Sequence, residues 1–284
     1  MSVEPGLGAT ALAPRPEPEP VVRLRGGRLR YGNRVLWDQL DLDIRPGEFV
    51  AVLGPNGSGK TSLIRVLLGL QQLAGGTVQI EGSPARRGNG RIGYIPQQRA
   101  VDPTLTVRGK DMVGMGLTGH RWGIGLPFGQ AARERKRLVD QALVAVGASE
   151  YAHLPIGMLS GGEQQRLRVA QAVVGNPGLL LCDEPLLSLD LAHQRMVSQL
   201  VARRAREANT AVVFVTHEIN PVLPLVDRVL YLVEGRFKIG TPDEVMTSET
   251  LSELFRTPIS VLRVDGRLVV VGDQEPIVHH HVEA

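Results

Sequence analysis

A run of five apolar residues, Phe49-Val50-Ala51-Val52-Leu53, empties into Gly54-Pro55-Asn56-Gly57-Ser58-Gly59-Lys60-Thr61. Such a short, continuous run is what a strand buried on both faces of a parallel sheet requires. The octapeptide matches G-x-x-x-x-G-K-[ST] at every fixed position, and Ser62 to Leu70 then reads as a helix. Strand, glycine-rich loop and helix start, in that order, let backbone N–H groups curl around a phosphate with a helix dipole behind them. Gly54, Pro55, Asn56, Gly57, Ser58, Gly59, Lys60, Thr61 and Ser62 are therefore candidates for holding a nucleoside triphosphate. Lys60 would reach the β- and γ-phosphates and Thr61 would ligate Mg2+. A glycine-rich turn with an incidental lysine is the alternative, and the flanking strand and helix argue against it.

A second apolar strand, Leu179-Leu180-Leu181-Cys182, ends in Asp183-Glu184-Pro185. Open α/β sheets place their ligands outside the carboxyl ends of their strands. Asp183 is suited to hold Mg2+, directly or through water, and Glu184 to orient or activate an attacking water. An acidic turn that caps the next helix is the plainer reading of this pair taken alone.

The rest of the chain supplies the setting. Val21 to Leu24 and Leu40 to Ile44 read as strands, residues 74–95 as short strands around glycine turns, and Ala211 to Thr216 as another buried strand. Helices are expected over 130–147, Glu163 to Val174 and roughly 191–208. Alternating strands and helices argue for an α/β domain with a mainly parallel sheet. Residues 1–20 are rich in Pro, Glu and Ala without apolar periodicity and read as a disordered tail. From about Ser260 the pattern turns strand-like and ends in His279-His280-His281.

Composition narrows the class. The 284 residues are 43% hydrophobic, enough for a sizeable core, and the single Cys182 cannot form an internal disulfide. No stretch approaches the roughly 18 apolar residues of a membrane span, and the N-terminus lacks the basic start and apolar run of a signal peptide. The chain is thus expected in the cytoplasm, reaching a membrane only through a partner. The net charge of +3 comes with basic residues spread along the sequence, which does not argue for nucleic acid.

Leu159-Ser160-Gly161-Gly162-Glu163-Gln164-Gln165-Arg166 resembles the signature motif of ATP-binding cassette (ABC) ATPases, and Ser160 is a good N-cap for the helix that follows. Tyr31 resembles that family's adenine-stacking aromatic; a core strand aromatic is the other reading. Gln97 (beside Gln98) resembles the glutamine that contacts Mg2+ and the water. Ser188-Leu189-Asp190 resembles the loop that crosses the dimer interface, although Leu186-Leu187 departs from the usual residues there. His217 resembles the histidine that touches the γ-phosphate. The resemblance implies a P-loop NTPase of ABC type: a mainly parallel core, an antiparallel β subdomain, and a helical subdomain at about 98–175. The ATPase domain would span 21–250 and a C-terminal extension 251–284. It implies ATP and Mg2+ as cofactors, with Asp183, Thr61 and Gln97 around the metal. Catalysis would fall to Glu184, His217 and Gln97, and Ser160, Gly161, Gly162, Glu163 and Asp190 would meet ATP bound by a second copy.

The implied partners are that second copy, polytopic permease subunits and an extracytoplasmic solute-binding protein, at the cytoplasmic face of a membrane. The Tyr94-Ile95-Pro96-Gln97 segment, the Thr106-Val107-Arg108 element and the Gly/Met-rich stretch Met112 to Gly116 look like ATPases of zinc and manganese importers. The terminal histidines read as a solvated tail rather than a metal site, and Trp122 as a packing or partner contact. An exporter ATPase and a soluble ABC ATPase of DNA repair or translation are the alternatives. The second usually carries coiled-coil insertions or two cassettes, and neither is present.

Overall fold

The computed structural model describes residues 18–97, 102, 104–119, 129–187 and 189–272. The expected tail (as far as residue 17), Gln98, Trp122, Ser188 and His279–His281 lie outside the described residues.

The chain opens with an antiparallel hairpin, β1 (Val22–Tyr31) and β2 (Arg34–Ile44), turning at Gly32-Asn33. Next come β3 (Phe49–Leu53), α1 (Lys60–Leu67), β4 (Gly75–Ile80), β5 (Ser83–Pro84) and β6 (Ile92–Ile95). Helices α2 (Gly109–Thr118), α3 (Gln130–Ala145) and α4 (Gly161–Val173) follow, then β7 (Leu179–Asp183), α5 (Leu191–Ala208) and β8 (Ala211–Val215). The chain continues through β9 (Arg228–Val233), β10 (Arg236–Gly240), α6 (Pro242–Val245) and α7 (Ser248–Phe255) to the hairpin of β11 (Ile259–Val264) and β12 (Arg267–Gly272).

The central sheet has the order β10-β9-β3-β8-β7-β6, parallel throughout except for the antiparallel β10–β9 pair. β3, β7 and β8 are buried along their whole length, which explains their unbroken apolar character. Alternate residues serve different cores. Phe49, Ala51, Leu180, Cys182, Val212 and Phe214 pack with α4 and α5, where Leu167, Val197 and Val201 wait. Val50, Val52, Leu181 and Val213 face the other way, towards Leu63 and Ile64 of α1 and Trp37 of the antiparallel sheet, whose order is β2-β1-β4-β5. Burial pushes the Cys182 thiol far above its ordinary range, so this cysteine is inert packing.

The helix expected from Ser62 to Leu70 runs instead from Lys60 to Leu67. Its cap, Gly59, has left-handed backbone that ends the phosphate loop, and Gly69 is left-handed again, which stops the helix before Leu70. The Met112 to Gly116 stretch lies within a helix, α2, that packs on α4. Three glycines in ten residues lower its helix propensity, so tertiary packing decides its state. β9, β10, α6 and α7 went unassigned in the sequence; β9 is a buried strand, but it begins at an arginine.

Phe214 is fully buried and its ring centroid lies 5.4 Å from that of Phe49. Phe214→Ala should cost about 3–5 kcal/mol of unfolding free energy in a urea titration. Val144→Ser, on the exposed face of α3, should stay within about 0.5 kcal/mol of the unmodified chain.

Candidate functional site

Four loops leave the carboxyl ends of β3, β6, β7 and β8 at one edge of the sheet, bringing Gly54–Thr61, Gln97, Glu184 and His217 together. Of these, Asn56, Gly57, Gly59, Lys60, Thr61, Gln97, Glu184 and His217 line an open cavity of about 770 Å3 together with Tyr31, Arg34, Leu36, Ser62 and Leu187. Tyr31 is 78% exposed at the end of β1, which excludes a core role and leaves its ring facing that cavity.

Gly54 has φ +138°, and a Cβ there would lie 2.0 Å from the carbonyl oxygen of Leu232, so no other residue fits this turn. Lys60 is buried and its ammonium donates to the carbonyl oxygens of Gly54 (2.7 Å) and Pro55 (2.9 Å). Burial pushes its pKa down, against the opposing pull of Glu184 and Asp183. The Thr61 hydroxyl donates to Asp183 at 3.1 Å, joining the helix start to the end of β7. Burial pushes the Asp183 carboxyl up, and nearby Glu184 adds to this, while the Thr61 hydrogen bond, Arg65 and Lys60 oppose it. A hydroxyl and a carboxylate this close form the hard oxygen pair that Mg2+ takes, so the residues present fit that ion.

Glu184 sits in left-handed backbone (φ 47°), its amide bonded to the Val215 carbonyl at 3.0 Å. Strain of this kind in a non-glycine residue is characteristic of functional positions. Its carboxylate accepts from the Gln97 amide at 3.2 Å, and His217 Nδ1 stands 4.0 Å away. A carboxylate held by an amide beside an imidazole can orient a water and receive its proton.

Ser160, Gly161, Gly162, Glu163 and Asp190 are not among the residues that line this cavity. They sit at two neighbouring helix starts. Ser160 and Glu163 form a reciprocal capping box on α4: Glu163 accepts from the Ser160 amide and hydroxyl, both at 2.8 Å, and those bonds hold its carboxyl below the usual range. Asp190 caps α5, accepting from the His193 amide at 2.9 Å and pairing with its ring at 2.7 Å. A Cβ on Gly162 would fall 2.5 Å from the His193 ring, so a larger residue there would have to push that ring aside. Sequence reading missed His193 and Arg34. Arg34 could have been found from its place opposite Tyr31 across a two-residue turn.

The description ABC transporter matches residues 37–187 of the chain as a family. A manganese transport system ATP-binding protein of Halalkalibacterium halodurans is 30% identical over 254 residues, 89% of this chain and 99% of the relative. A zinc import ATP-binding protein of Roseobacter denitrificans is 34% identical, with 84% of this chain and 85% of the relative covered. Further relatives carry the names of iron(3+)-hydroxamate, hemin and spermidine/putrescine import. Among solved structures, a metal-chelate type ABC transporter in an inward-facing conformation superposes with TM-score 0.75 at 28% identity over 90% of this chain and 99% of that one. A dimeric ATP-binding cassette in a post-hydrolysis state with ADP and Pi gives TM-score 0.63 at 28% identity over 76% and 97%. Among the described residues no helix is long and apolar enough to cross a membrane. With its phosphate loop, acid pair and fold all accounted for, the chain belongs to the ABC transporter family as an ATP-binding, ATP-hydrolysing subunit.

Proposed function

We propose that the chain powers an importer of divalent metal ions, zinc or manganese, as one of two identical ATPase subunits beneath polytopic permease subunits, with an extracytoplasmic solute-binding protein delivering the cargo. The observation that carries the ATPase part is the single cavity shared by Lys60, Thr61, Gln97, Glu184 and His217. The names of the manganese and zinc relatives support the metal, and the dimeric cassettes support the pairing. The catalytic unit is taken as 21–250, its helical part as about 98–175, and 251–284 as an extension.

In this reading Tyr31 stacks on adenine, and the loop from Gly54 to Ser62 surrounds the phosphates with N–H donors. Lys60 turns from the loop carbonyls to the β- and γ-phosphates. Thr61, Asp183 and Gln97 would hold Mg2+, which supplies neutralising charge at the phosphates when bound. Glu184, aimed by Gln97, orients the attacking water and takes its proton, and His217 donates to the γ-phosphate. The second copy offers Ser160, Gly161, Gly162, Glu163 and Asp190 to the same nucleotide. ATP favours the closed pair and its products do not, and that difference in affinity does the work on the permease.

Glu184→Gln should keep ATP affinity, lower turnover by roughly 100-fold or more, and accumulate an ATP-bound dimer visible by gel filtration. Normal turnover in this variant would remove Glu184 from the chemistry. Lys60→Ala loses a charged hydrogen bond worth about 1.5–3 kcal/mol, so the Kd for ATP should rise roughly 10- to 150-fold by titration calorimetry. For the cargo, the complex is purified from native membranes and its ATPase assayed with binding protein loaded with Zn2+, Mn2+ or hemin. Stimulation by a metal-loaded protein supports the proposal, and stimulation by hemin alone replaces it.

A further inference from the structure

The segment after β8 carries His217 and reaches Asn220 three residues later. It is held on two sides. Towards the sheet, the Thr216 amide donates to the Val52 carbonyl at 3.1 Å, while the Thr216 hydroxyl donates to the Glu218 carbonyl (2.9 Å) and accepts from the Glu218 amide (3.2 Å). Away from the sheet, Asn220 crosses 48 residues of sequence to the C-terminal hairpin. Its Nδ2 donates to the Leu268 carbonyl at 2.9 Å, and its Oδ1 accepts from the Leu268 amide at 2.8 Å.

A carboxamide offers donor and acceptor side by side, so this side chain completes the open edge of β12 as a neighbouring strand would. β12 pairs with β11 along its other edge. Leu268 is buried, and with Val270 it walls a cavity of about 450 Å3 whose further lining includes Gly54, Pro55 and Asn56 of the phosphate loop and His217 itself. The hairpin therefore stands directly behind the nucleotide site.

His217 has little of its own to fix it. Its side chain is 55% exposed, and 4.0 Å from Nδ1 to the Glu184 carboxylate is beyond hydrogen-bond length. The direction of its ring depends on the backbone that follows. We infer that Asn220 is a positioning residue for ATP hydrolysis: its paired bonds to Leu268 fix the His217 segment against the β11–β12 hairpin, which makes that hairpin part of the catalytic frame. The inference rests on the role given to His217 above and adds a task for the C-terminal strands.

The test measures turnover, KM for ATP and the Kd for ATP on the purified full chain and on Asn220→Ala, Asn220→Asp, His217→Ala and the double variant His217→Ala/Asn220→Ala. Asn220→Asp is nearly isosteric; it keeps the acceptor, loses the donor and sets a carboxylate against the Leu268 carbonyl. Both Asn220 variants should lose turnover roughly 5- to 20-fold, less than the roughly 100-fold that a 1 Å misplacement can cost. Kd and KM for ATP should stay within about twofold, because the phosphate loop and Tyr31 are untouched. The double variant should be no slower than His217→Ala, the mark of two residues acting through one group. Near-normal turnover in both Asn220 variants overturns the inference and leaves the reading of His217 standing. So do penalties that multiply in the double variant, or an equal loss of ATP affinity and turnover. A fully active His217→Ala overturns both.

Discussion

Parallel pairing of β3, β6, β7 and β8 decides where the chemistry of this chain can occur. Because these strands point the same way, whatever follows each of them emerges at one edge: the phosphate loop after β3, Gln97 after β6, Glu184 after β7 and His217 after β8. Each strand is too short to tolerate slippage. β3 divides its five residues between two cores, Phe49, Ala51 and Leu53 on one side and Val50 and Val52 on the other. A shift of one residue would exchange those sets and move Gly54 away from the Leu232 carbonyl that its missing Cβ admits. The hydrophobic register of a few valines and leucines thus fixes the polar geometry.

At that edge burial works against the charged forms of two groups. Lys60 is pushed down and Asp183 up, both mainly by burial, although they lie close enough to stabilise each other. Their mutual attraction does not cancel the cost of desolvation. A polyanion beside Lys60 and a hard cation beside Asp183 and Thr61 would each relieve one of these costs. The same edge holds Glu184 in left-handed backbone, a conformation maintained by its amide bond to Val215 and by the buried strands on either side.

The elements most legible in the sequence were those whose state is set locally. Unbroken apolar runs gave β3, β7 and β8; the phosphate loop, the acid pair and the Ser160 cap could be read residue by residue, because turn, cap and phosphate chemistry act over a few neighbours. Other features depend on distant partners and left weaker marks. α2 contains three glycines and is helical because it packs on α4. The touching helix starts at Gly162 and His193 unite segments 31 positions apart, a spacing with no periodic signature. The Asn220 to Leu268 bond joins a loop to a hairpin, and an asparagine beside a proline reads in sequence only as a turn.

The placement of Ser160, Gly161 and Gly162 outside the cavity also has a physical consequence. The first N–H groups of any helix lack intrahelical acceptors. On α4 the capping box satisfies the Glu163 amide through Ser160 and returns the Glu163 carboxylate to the Ser160 amide and hydroxyl. The amides of the first turn, at Gly161 and Gly162, carry no Cβ that would shield them from an approaching anion. The neighbouring α5 start is tied to this one through the His193 ring, which pairs with Asp190 and lies against Gly162. A donor-rich surface of this kind, outside the cavity that its own chain's Lys60 and Thr61 line, is suited to an anion presented from outside. An ATP bound by a second copy, the arrangement proposed above, meets that description.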